Sequence, residues 1–114
     1  MKLLVFVLNK VEALEPLLER FSHDGINGAT ILNSNGMAHT LSECGSSFLG
    51  SLRAILNPDR VESRTLFAVL PEEQVEIALN AIELVVGDLS KPDTGIVFTV
   101  PVDFTKGIKL DSKQ

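Results

Sequence analysis

After one lysine, the chain runs through six apolar residues, Leu3 to Leu8. An unbroken run of this kind, with valine and phenylalanine in it, suits a strand covered on both faces. Leu14, Leu17, Leu18 and Phe21 then recur at three-to-four spacing and predict a helix with one apolar stripe. Pro16 fits only the first turn of such a helix, so the helix starts near Ala13 or Leu14, and Gly25 is its natural stop. A second strand is expected from Gly28 to about Met37. The pattern then returns: RTLFAVL at 64–70 echoes KLLVFVL at 2–8. Val75, Leu79, Ile82 and Val86 give the inward positions of a second helix from about Glu72 to Val86. Pro71 precedes it, Glu72 and Glu73 suit its positive end, and Gly87 closes it. After the turn DLSKPDTG, the last strand is GIVFTVPV, residues 95–102.

The order is βαβ followed by βαβ, about 30 residues per unit. Right-handed crossovers place both helices on one face of a shared sheet. The expected fold is α+β: a ferredoxin-like βαββαβ sandwich, with a four-stranded antiparallel sheet, two helices on one face and an inserted helical loop between strands two and three. Both faces of the strands look apolar, however. Leu3, Val5 and Val7 alternate with Leu4, Phe6 and Leu8, and Ile96, Phe98, Val100 and Val102 alternate with Val97, Thr99 and Pro101. A bare face of that kind exceeds the few hundred Å² (order of magnitude) that soluble monomers usually expose, so other copies of the chain are expected to cover it.

The connection between strands two and three is long for a hairpin. Residues 41–62 read LSECGSSFLGSLRAILNPDRVE. Ser46 or Ser47 can cap a short helix whose one side carries Phe48, Leu49, Leu52, Ile55 and Leu56, with Pro58 as its end. Gly50 weakens it by roughly 1 kcal/mol relative to alanine. An apolar face on a long connection has something to cover: its own oligomer on one reading, a docked partner on the other.

Composition narrows the function classes. At 114 residues the chain is a single domain over 1–114. Hydrophobic residues make up 45% of it, and the mean hydropathy is +0.24. A net charge of −5 without a basic stripe argues against a nucleic-acid partner. Cys44 is the only cysteine, which excludes an intrachain disulfide. The opening apolar run is too short for a signal-peptide core or a membrane span, so no membrane insertion is expected and the cytoplasm is the expected location.

Two segments carry a resemblance. GINGATILNSNGMA, residues 25–38, is similar to the second-strand motif of the nitrogen regulatory PII signalling family and its PII-like relatives, and PDTGIVFTVPVD, residues 92–103, resembles that family's last turn and strand. The element order agrees over nearly the whole chain. The resemblance implies a homotrimer that binds a small-molecule or nucleotide effector in clefts between subunits and contacts a target protein through the 40–62 loop. It implies ligand-binding positions at Gly36, Met37, Ala38, His39, Asp93, Thr94, Gly95 and Lys109. Phe48, Leu52, Arg53 and Ile55 would then form the partner-binding surface of the loop.

This chain departs from the PII pattern at charged positions. Ala38 and His39 replace a glycine and an arginine, Ile96 stands where a phosphate-binding lysine is expected, and Gly107 replaces one of two basic residues near the end, of which Lys109 remains. A triphosphate needs several concentrated positive charges, so ATP is expected to bind weakly if at all. A less charged nucleotide, a cyclic dinucleotide, a small anion and no ligand all stay open. The chain has no tyrosine, so the family's uridylylation cannot operate.

Other motifs read as structural. His39, Glu43 and Cys44 lack the second cluster that a metal site needs, and loop residues account for them. His23 beside Asp24 suits a helix end, and Glu12, Glu15 and Glu19 suit a solvated helix face. No nucleophile triad, Walker loop or dinucleotide fingerprint is present, so neither enzyme activity nor a cofactor is expected. Two functions lead, a trimeric PII-like sensor or a non-sensory structural or protein-interaction module without a small-molecule ligand, and a small enzyme comes a distant third.

Overall fold

The computed structural model describes residues 1–37 and 62–108. Strand β1 spans Lys2–Leu8, and a 3-10 turn at Val11–Ala13 leads into helix α1, Leu14–His23. Strands β2, Thr30–Asn35, and β3, Glu62–Leu70, follow. Helix α2 is Glu72–Val86, and strand β4 is Gly95–Pro101. The sheet order is β2-β3-β1-β4, with every neighbouring pair antiparallel. This is the ferredoxin-like α+β sandwich. The expected helical insert, with Phe48, Leu52, Arg53 and Ile55, lies outside the described residues, as do Ala38, His39, Cys44 and Lys109.

Both helices pack on one sheet face. Leu4, Phe6 and Leu8 of β1 and Leu66, Ala68 and Leu70 of β3 are buried beneath them, against Leu17 and Phe21 of α1 and Ile82 and Val86 of α2. Truncating a fully buried member such as Leu17 to alanine costs about 2–5 kcal/mol. Val75 and Leu79 are only partly buried, while Ala78 and Ala81 sit fully in the core. Small side chains on the inner stripe let α2 approach the sheet and α1 closely.

Helix α1 ends in a Schellman motif: Ile26 N–H donates to Phe21 O at 2.7 Å and Gly25 N–H to Ser22 O at 3.1 Å. Gly25 supplies the required left-handed backbone, with φ +88°. The cap draws Ile26 into the core, where it is 3% exposed. That pull shortens the second strand. Expected from Gly28, it joins the sheet only at Thr30, opposite Phe67, and it ends at Asn35, opposite Glu62, rather than near Met37. The last strand likewise ends one residue early, at Pro101, and Val102 N–H donates to Met1 O at 3.2 Å.

Candidate functional site

The turn before β4 is built by its own side chains. Where α2 stops, Asp88 Oδ1 accepts hydrogen bonds from Ser90 N–H at 2.9 Å and Ser90 Oγ at 2.8 Å. Those two donors hold the Asp88 carboxyl below its ordinary range, the main-chain bond contributing most. Asp93 takes the left-handed conformation at φ 62°, the single non-glycine residue to do so among the described residues. Thr94, buried, donates its hydroxyl to Lys91 O at 2.9 Å, and its carbonyl accepts from Asn9 N–H at 3.0 Å and Lys10 N–H at 3.3 Å. Gly95 lies against β1 so closely that a Cβ there would stand 2.6 Å from Val7 O and 2.7 Å from Phe6 Cε1. The expected ligand positions Asp93, Thr94 and Gly95 therefore form one rigid corner bonded to the end of β1. The Thr94 proton is engaged within the turn, which leaves that hydroxyl only acceptor capacity toward a ligand.

Gly36 and Met37 lie at the same end of the sheet but beyond the opposite edge. Asn35 closes β2 on one edge and Gly95 opens β4 on the other, with β3 and β1 between them. Three strand spacings, about 14 Å, separate the two edges. One chain does not bring these residues into a common site. Gly36 has no positive φ, and a Cβ on it would meet nothing within 4 Å among the described residues, so the strand does not turn on its glycine. Met37 is 77% exposed. Ile108 lines a cavity at the other end of the sheet, beside Gly25–Gly28 and Leu70.

The sheet face away from the helices is open along β4, while Val5 and Ser63 on the same face are buried. Register aligns Phe67, Val5 and Phe98 in one apolar row across β3, β1 and β4, flanked by Ile96 and Val100. Ile96, Phe98 and Val100 are exposed, as is Leu32 of β2. At its corner nearest Gly36 the same face carries three hydroxyls that the sequence reading missed. Thr65 Oγ1 donates to Ser34 Oγ at 2.9 Å, Ser63 Oγ donates to Ser34 O at 3.1 Å, and Ser34 Oγ in turn donates to Ser63 Oγ at 2.7 Å. Each hydroxyl proton has an acceptor inside the trio, so it pins β2 to β3 and offers no donor outward. Only the cross-strand register, Ser34 opposite Ser63, brings these residues together.

Among the described residues, no group of three or more His, Cys, Asp or Glu could hold a metal ion, and no helix is long and apolar enough to cross a membrane. The chain matches no protein-family model, and no curated protein shows significant similarity to it.

Proposed function

We propose that this protein is a PII-like trimeric regulator, cytoplasmic, that binds a small ligand in clefts between its subunits and contacts a partner through residues 40–62. The observation that carries the reading is the division of the candidate site between opposite edges at one end of the sheet. A ring of chains set edge to edge brings the Gly36–Met37 edge of one subunit against the Asp93–Gly95 corner of the next. The exposed Ile96, Phe98 and Val100 of β4 support such a ring, because a neighbouring chain would remove them from water at about 25 cal/mol per Å². Light scattering on the purified protein tests the reading. A species of three times the 12.4 kDa chain mass is expected, and a stable monomer removes the intersubunit site altogether.

The engaged Thr94 hydroxyl favours a second reading, an interaction module with no ligand. A thermal-shift screen with nucleotides, cyclic dinucleotides, bicarbonate and carboxylate metabolites separates the two. The sensor predicts one stabilising compound that also alters hydrogen exchange across residues 40–62. A trimer that responds to none of them is the interaction module.

A further inference from the structure

A cavity of about 630 Å³ opens at the end of the sheet away from the Asp88–Gly95 turn, where β2 leaves its neighbour. We propose that this cavity binds a short extended peptide segment bearing a basic side chain, which adds to the free edge of β3 and sets its cation against Glu73. The volume falls within the roughly 300–1,000 Å³ of ordinary ligand sites.

The backbone supplies the first argument. Strand β3 runs on to Leu70 and stays paired with β1 there, but its ladder with β2 ends at Thr30 opposite Phe67. No main-chain hydrogen bond from residues 25–29 carries that ladder on to Ala68–Leu70 among the described residues. Successive residues of a strand aim their N–H and C=O groups at alternate edges. At least one such donor–acceptor pair in this stretch therefore faces the gap, and an extended main chain matches it.

The walls supply the second. Val69, Pro71 and Ile108 offer apolar surface, while Asn27 and Gln74 offer side-chain amides that can bond a peptide group. Glu73 is the single charged side chain among the described lining residues. Its full negative charge outweighs the roughly half positive charge of the α2 N-terminus beside it, so the site favours a cation. The net charge of −5 draws a basic segment in the same direction. None of this depends on the trimer or on the turn before β4, so the two proposals fail separately.

The test is a titration of the isotope-labelled full chain with acetyl-Val-Lys-Val-amide, followed by amide shifts. Saturable shifts at Asn27, Gly28, Val69 and Leu70 are expected, with Glu73→Gln weakening affinity about two- to fivefold, the range of an exposed ion pair. A Gly28→Leu variant should fold and lose binding, because Gly28 has no positive φ and a Cβ there meets nothing within 4 Å, so leucine takes up cavity space. Its melting temperature confirms the fold. The proposal is overturned by absence of these shifts at millimolar peptide, by equal binding of acetyl-Val-Glu-Val-amide, or by unchanged binding in a folded Gly28→Leu protein.

Discussion

Gly95 is a position where even a methyl group has no room. Its neighbours are a carbonyl and an aromatic ring of β1, a strand paired on both sides and unable to recede. Gly95→Ala should therefore destabilise the fold by about 1–3 kcal/mol in a urea titration. Asp88 gives the same corner a pH dependence. Its folded pKa lies below its ordinary value of 3.8, so its contribution is complete above about pH 4 and fades as pH falls through the folded value. The Ser90 amide resonance should move over that acid window, and Asp88→Asn should flatten the response. Ile96 bears on the ligand. It is 63% exposed on the face away from the helices, at a position where the proposed PII resemblance would place a lysine. Calorimetry should find ATP affinity weaker than about 100 μM, or about 5.5 kcal/mol. At this scale the sequence was informative about identity but silent about engagement. PDTG could be read as a ligand-facing turn, yet nothing in those letters reveals that Thr94 bonds Lys91 O.

Two glycines that look alike in sequence do different work at the level of elements. Gly25→Ala must force a side chain into φ +88° and should cost about 1 kcal/mol, whereas Gly36→Ala should stay within roughly 0.5 kcal/mol of the parent in the same thermal melts. The elements were most legible where punctuation and periodicity agreed. Pro71 and Gly87 bracket α2 at Glu72–Val86, as the apolar spacing predicts. Strand β2 starts later than its sequence pattern predicts because its start is decided by Ile26, which the α1 cap pulls away from the sheet, and no local period records that pull. Ala78 and Ala81 do not stand out in the periodicity because alanine is a weak hydrophobic signal, although close helix packing selects it. The hydroxyl trio was invisible for another reason: it exists only once β2 and β3 are in register.

Across the whole molecule, the two described helices lie on one sheet face, and the other face is the place to test assembly. Phe98→Glu sets a charge at the end of the Phe67–Val5–Phe98 row while leaving the helix-side core untouched. If the row is an interface, light scattering should show the variant falling to the 12.4 kDa chain with its circular dichroism retained. An unchanged mass would place the interface elsewhere. The strand order has a consequence for folding. Among the described residues the ladders are β1 with β3, β1 with β4, and β2 with β3, so each joins a strand from before Met37 to one from Glu62 onward. Among the described residues, neither half holds a pair of neighbouring strands. A nascent chain released only as far as Met37 has no partner for either strand, and formation of the sheet waits on contacts far apart in sequence, which slows it. Cleaving the backbone anywhere between Met37 and Glu62 should accordingly yield two pieces that are each unstructured alone and regain the sheet only when mixed.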